Sequence, residues 1–565
     1  MKPRSFFTFL AIVVVILLSI ASGILLWLIA NTPLSRQTTQ TATPVATIFV
    51  PSTAPAFASL LVNPEELEAY QRVVVAPQSR RFVHAYFSEI KKRLLAKTDL
   101  NYERDIQPWL GDEISLACTT IDIDRDPDNG RQPGYLLALA TKNKQRSQEF
   151  LDLFWSSQAL AGSDVTFETY KGATIIYNKT ADNNWVATTF ITSPVAGEQF
   201  VLFANHPKVL RDAINNVQVP SLSLQNSSAY QSAVQQLTQP KIALGFINIP
   251  QIAAWSGIES FLANSQGKDQ IALAFSLTEG GLLAETALIA DWNSTNSLVP
   301  PLLSYPVQTL KYLPTTSVLA VAGINLQQMW SEIAAGLANN DPLAQLFNQL
   351  LADIGAPWGL DLPKDIFSWV QGEYALALLP RVEAAAGEDF DWIFVAQRSP
   401  EALQGIEHLD VLAQQQGFST GAFKLGEREI FAWTKLSAPD AAEKADSFSE
   451  LTARVFGVRA SVGDYDIFTS SIQAMAAALA ASEVGSLSDT VNFRQAISVL
   501  PSPNYGYVYL DFKAAERIIE RRFPLFKFLQ ASSQLIVERL RAIAITSTGS
   551  EAGVRRAELF LGLGL

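Results

Sequence analysis

Apolar positions along this chain follow two kinds of pattern. One is continuous: residues 6–30, FFTFLAIVVVILLSIASGILLWLIA, run 25 long without a charge, more than the ~20 a helix needs to cross a bilayer. The other is periodic. Phe82, Tyr86, Ile90 and Leu94 recur every four residues, which predicts an amphipathic helix over 79–97 with Lys91, Lys92 and Arg93 outward. Ile114, Leu116 and Cys118 alternate with Ser115, Ala117 and Thr119, which predicts a strand. It is expected to pair antiparallel with 135–140 across an acidic loop. Beyond it the pattern predicts a helix over 147–160, a hairpin turning near Lys171-Gly172, and strands at 185–190 and 199–203. Helices at 207–216 and 227–237 and strands at 242–247, 271–277 and 282–290 follow.

The pattern then starts again. Residues 106–117, IQPWLGDEISLA, return at 366–377 as IFSWVQGEYALA, with Ile, Trp, Glu, Leu and Ala matched in place. PSTAPAFASLLVNPEEL at 51 is echoed at 314, LFANHPKVLRDAI by IFTSSIQAMAAAL, and AYQSAVQQLTQP by NFRQAISVLPSP, so that Pro240 falls on Pro503. Near-constant offsets over several blocks mark an internal duplication. Each copy mixes short strands and helices joined mainly by hairpin links, without a strand-helix-strand rhythm. The expected class is therefore α+β: an N-terminal transmembrane helix, then two tandem copies of an antiparallel sheet with helices packed on one face. The boundaries read as a cytoplasmic tip and anchor at 1–30, a flexible Thr- and Gln-rich stalk at 31–44, a first repeat at 45–293, a linker at 294–306 and a second repeat at 307–565.

Composition narrows this picture. Hydrophobic residues make up 48% and charged ones 17% of 565, which fits a well-buried body of more than one core. A net charge of −12 argues against nucleic acid as a partner. The lone Cys118 rules out an intrachain disulfide and reads as a small core residue. Lys2 and Arg4 precede the apolar span, so the positive-inside rule puts the N-terminus in the cytoplasm and the body in the periplasm or thylakoid lumen. The span outruns the h-region of a cleaved signal, so an uncleaved anchor is expected, with the membrane as a partner through that helix and an unidentified protein or lipid partner for the body.

Candidate chemistry is sparse. Asp122, Asp124, Asp126 and Asp128, ending at Gly130, alternate as calcium ligands do, but counting from Asp124 the glycine falls one place late and Tyr135 stands where a Glu is required. A turn is the expected role. Arg521 to Phe528, RRFPLFKF, mixes cations with aromatics as a lipid-facing segment does, and also as a proline-started helix does. His84, His206 and His408 form no HExxH pair, and there is no GxSxG, P-loop or GxGxxG pattern. The matched Glu113 and Glu373 are expected to make a shared structural hydrogen bond, and the matched Trp109 and Trp369 to pack in cores. No catalytic, cofactor or metal residue is assigned.

The apolar span, the Thr-rich stalk, the duplicated VPSTAPAFASLLVNPEEL start and the WLGDEISLA block resemble a cyanobacterial membrane-anchored family catalogued as domain of unknown function 3352. That resemblance implies a cyanobacterial source and carries no activity, cofactor or site residue. The expected function is a non-enzymatic binding or scaffolding module. Alternatives are a carrier or sensor of an apolar ligand held between sheet and helices or between the copies, and a hydrolase with a non-standard site.

Overall fold

The computed structural model describes residues 43–63, 100–126, 130–179, 185–194, 197–256, 270–278, 280–289, 303–336, 360–381, 390–437, 452–516, 540–551 and 554–563. The first copy contributes β1 (Ala56–Leu60), β2 (Leu110–Thr120), β3 (Gly134–Thr141), β4 (Val165–Tyr170), β5 (Ala173–Lys179), β6 (Trp185–Thr192), β7 (Gln199–Ala204), β8 (Ala243–Asn248), β9 (Gln270–Thr278) and β10 (Gly281–Ile289). The second contributes β11 (Leu319–Ile324), β12 (Glu373–Pro380), β13 (Phe390–Gln397), β14 (Ser419–Leu425), β15 (Arg428–Ser437), β16 (Thr452–Val462), β17 (Tyr465–Thr469), β18 (Tyr507–Asp511), β19 (Leu540–Glu551) and β20 (Val554–Leu563). Helices α1 (Lys144–Leu160), α2 (Pro207–Gln218) and α3 (Ser228–Gln235) have their counterparts in α4 (Pro400–Gln415), α5 (Ile472–Val484) and α6 (Val491–Val499).

All the strands belong to one 20-stranded sheet, and every pairing among them is antiparallel. From one edge the first half runs β4-β5-β6-β7-β3-β2-β1-β8-β9-β10. From the other edge the second half runs β14-β15-β16-β17-β13-β12-β11-β18-β19-β20. Each strand matches the one ten places later. The halves meet where β10 pairs with β20, in a register from Gly281 against Gly562 to Ile289 against Val554.

This arrangement overturns the expected fold class in two respects. Two tandem sheets were expected, whereas the last strand of each copy closes the open edge of the other, so the ladder never stops between them. Helices were expected on one face, yet both faces are covered. In β3, Leu136, Ala138 and Ala140 join the core under α2, with Val209 and Leu210. The alternate position Leu139 joins Trp109 and Val201 under Phe150 and Leu151 of α1. The second copy does the same. Ile393 and Val395 lie with Met475 and Ala478 of α5, and Phe394 and Ala396 with Ile406 and Leu409 of α4. A strand apolar at successive positions has two faces to bury, and one helix layer serves only one. As for the expected transmembrane element, among the described residues no helix is long and apolar enough to cross a membrane. The apolar span at 6–30, nearly all of the stalk, the 79–97 helix and residues 521–528 lie outside the described residues.

The helix starts are the ones their sequences favour. Asn143 and Ser399 cap α1 and α4, their side-chain oxygens accepting the amides of Arg146 and Ala402. Pro207 and Pro400 occupy first-turn places where no amide donor is needed.

Candidate functional site: the seam between the copies

The block that revealed the duplication is structural in both copies. Trp109 Nε1 donates to the Asp105 carbonyl at 2.7 Å, and Trp369 Nε1 donates to the Asp365 carbonyl at 2.7 Å. Both indoles are buried, Trp109 against Phe150. Glu113 accepts from the amides of Val45 and Ala46 at 2.8 and 2.9 Å and from Ser115 Oγ at 2.7 Å. Glu373 accepts from the amide of Gln308 at 2.7 Å and from Tyr465 Oη at 3.4 Å. Each carboxylate thereby fastens the 3-10 turn that opens its copy, Val45–Ile48 or Gln308–Tyr312. Burial raises the Glu113 pKa, and the amides of Ala46 and Val45 and the Ser115 hydroxyl oppose it.

The other candidates stay apart. Asp122 accepts the Gln132 amide, while Asp124 accepts the Asp126 amide and the Gln132 side chain, so these carboxylates shape a turn. Asp128 lies outside the described residues, as does His84. Among the described residues no group of three or more His, Cys, Asp or Glu is placed to hold a metal ion. His206 Nδ1 accepts the Lys208 amide as the cap of α2, and its counterpart Ser471 caps α5 through the Ala474 amide. His408 stands 3.6 Å from Asp365, and its side chain is 54% exposed. Cys118 is buried, and burial pushes its thiol up to about 11.

Titratable groups do converge on the seam. At the middle of the β10–β20 register Glu285 stands directly opposite Glu558. Facing positions of an antiparallel pair put their side chains on one side of the sheet, ~5 Å apart at Cβ. On that face the row continues as Ala287 opposite Arg556 and Leu283 opposite Phe560. Both carboxylates are held largely from solvent, Glu285 at 5% and Glu558 at 8% exposure. Over them opens a cavity of about 350 Å³. Its walls come from both copies: Gln236 to Gln239 after α3, Pro501 and Pro503 after α6, and the two seam strands with Arg556 and Thr548.

The two carboxylates have the same place and different surroundings. Glu285 Oε1 accepts Thr238 Oγ1 at 3.2 Å and the Thr238 amide at 3.4 Å, and Oε2 accepts the Gln239 amide at 3.0 Å. In the second copy Thr238 is replaced by Pro501, which has neither an amide hydrogen nor a hydroxyl. No hydrogen-bond donor within the described residues reaches the Glu558 carboxylate. Burial, then the charge of Glu285, push Glu558 up to about 7, with Arg556 pulling the other way. Nearby, Lys241 Nζ donates to the Leu237 carbonyl at 2.9 Å, and burial lowers its pKa while Glu285 opposes that shift.

A family model described as "Protein of unknown function (DUF3352)" matches residues 10–563. The chain belongs to this family. No curated protein matches the DUF3352 chain. A solved structure described as crystal form I of TP0453 is 11% identical, with a TM-score of 0.22, covering 46% of this chain and 83% of that one. A likeness of that size carries no argument about the DUF3352 chain. Its seam pair is absent from the sequence-derived candidates, although a signal existed. Ala284-Glu285 and Ala557-Glu558 are the same dipeptide, each set in the last apolar strand of its copy. A charge flanked by apolar residues on both sides of a strand needs a reason, and here the reason is the partner copy.

Proposed function

We propose that this chain is a non-enzymatic binding module whose ligand site is the cavity at the junction of its two copies. One observation carries the reading: the duplication places both copies' equivalent carboxylates at a single point, under a cavity that both copies wall. Junctions between repeated units are where small-molecule sites commonly form, and about 350 Å³ falls in the range of such sites. Binding is favoured over hydrolysis because general acid–base work needs two groups free to meet a reacting atom. Glu285 has its oxygens occupied by Thr238 and Gln239, which leaves Glu558 alone. The cavity's mixed polar lining does not favour an apolar cargo. The test is a small-molecule fragment screen by ligand-observed NMR on the full chain and on Gln236→Trp, which fills the cavity from a half-buried wall position. The reading expects fragments that bind the wild type and lose binding in the variant. It fails if no fragment distinguishes the two proteins.

A further inference from the structure

We propose that the seam cavity takes a small organic ammonium, whose N–H groups donate to the Glu558 carboxylate. The inference rests on the binding-module reading and names the ligand class for that same site. It begins with a place where the copies' symmetry breaks. Glu285 and Glu558 are equivalent, buried and opposed, yet among the described residues donors reach only the first. Part of the difference is Thr238 against Pro501, a residue that cannot donate at all, while Ser502, in the place of Gln239, gives its hydroxyl to the Ser304 carbonyl. Buried carboxylates are hydrogen-bonded almost without exception, so Glu558 at 8% exposure and facing an open cavity is an acceptor awaiting a donor.

The charge around the cavity selects the donor. Its lining holds two carboxylates and one guanidinium, Arg556. The chain leaves α3 and α6 at the same wall, so the C-terminal ends of both helices, which favour cations, lie beside it. Lys241, the other nearby cation, is engaged with the Leu237 carbonyl. A bare divalent ion fits poorly, since it requires about six oxygens and those of Glu285 already have donors. An ammonium needs one carboxylate and brings three donors. Without ligand, Glu558 holds a proton up to about pH 7. An ammonium that binds below that pH displaces the proton, which goes to buffer.

The test is calorimetry on the full chain with butylammonium chloride, against tetramethylammonium chloride (a cation with no N–H), butan-1-ol (neutral and of similar shape) and calcium chloride. Wild type is expected to bind butylammonium at least tenfold more tightly than the other three. At pH 6 the apparent enthalpy should change with the ionisation enthalpy of the buffer, reporting proton release. Glu558→Gln, which keeps shape and hydrogen-bonding capacity, should weaken butylammonium at least tenfold. Pro501→Thr gives Glu558 a donor within the chain and should weaken it as well, in a protein that keeps both carboxylates. Equal binding by Glu558→Gln, equal binding of tetramethylammonium, a preference for calcium or no butylammonium binding would each overturn the inference. If the fragments lost in Gln236→Trp prove neutral or anionic, the ammonium falls and the binding module stands. If no fragment is lost there, both fall.

Discussion

At the scale of single residues the duplication is a natural control, because the same contact occurs twice in different surroundings. Trp109 and Trp369 make one bond at one length, 2.7 Å, to a carbonyl four residues back. Replacing either with Phe removes the donor, leaves a carbonyl with one partner fewer, and trims a filled core. A cost of about 1–3 kcal/mol is expected for each, read as a shift of the urea midpoint at unchanged slope. Equivalence requires the two values to lie close together; a neutral substitution at either position would show that the bond is incidental there. The matched acids should differ. Glu113 is buried with two backbone donors and the Ser115 hydroxyl, whereas Glu373 has one backbone donor and a long contact to Tyr465. Glu113→Ala strands two amides in a buried site and should cost about 2–4 kcal/mol, against about 1 for Glu373→Ala. Equal losses in a denaturation series would refute the asymmetry.

At the scale of elements the decisive pair is β10 and β20. Gly281 opens β10, and a Cβ there would run into the Leu561 carbonyl and the Phe560 ring of β20. Neither the carbonyl of a paired strand nor a ring that is 1% exposed has room to retreat. Gly281→Ala is therefore expected to cost about 2–3 kcal/mol by parting the seam at its end, and faster amide exchange should appear first in β10 and β20. Exchange that rises elsewhere, or not at all, would count against that reading. A second consequence follows for residues 43–293 expressed alone. That half leaves β10 as an open edge whose natural partner is its own equivalent strand, so it should dimerise about Glu285. Light scattering that finds only monomer would remove the symmetry argument. These element-scale features also show what was legible beforehand. The strands and helices of each copy follow from two periods, 2 and 3.6, and the repeat from matched Trp and Glu, because those signals are local. The pairing of β10 with β20 is not local. No pattern within LLAETALI states which edge it will meet, and an apolar strand reads the same whether a helix or another copy covers it. Helices on both faces were half-visible, since Leu136 to Leu139 are apolar at successive positions. The site was missed for the same reason as the seam: Glu285 and Glu558 have meaning only once the halves are joined.

At the scale of the whole molecule, the two copies share one sheet and hold a strongly perturbed carboxyl where they join, so the acid–base state of the seam should register in global stability. The sign follows from the proton count. Glu558 ionises near 4.5 when exposed and near 7 when folded, so between those values the folded chain binds more protons than the unfolded one. Stability from this group is full below pH 4.5 and is lost as pH rises through about 7. The lost amount is on the order of 3 kcal/mol, less whatever cavity water screens. Other groups cross the window. Glu113 and Asp212 are raised by burial and act in the same direction. His206, lowered by burial and by Arg211 and Lys208, acts in the opposite direction as pH falls below 6.5. The clean measurement is therefore the difference between wild type and Glu558→Gln across pH 4 to 9, since the variant keeps every other titration. The variant should match wild type or fall below it under acid conditions and gain on it steadily from pH 4.5 to 7, levelling above. Because the pair is shared, Glu285→Gln should also flatten the wild-type curve by removing the neighbouring charge, even though Glu558 is still present. A difference that stays level through neutrality would mean that the facing carboxylates do not feel each other, and the seam would then be a plain strand pairing with no charge held between the copies.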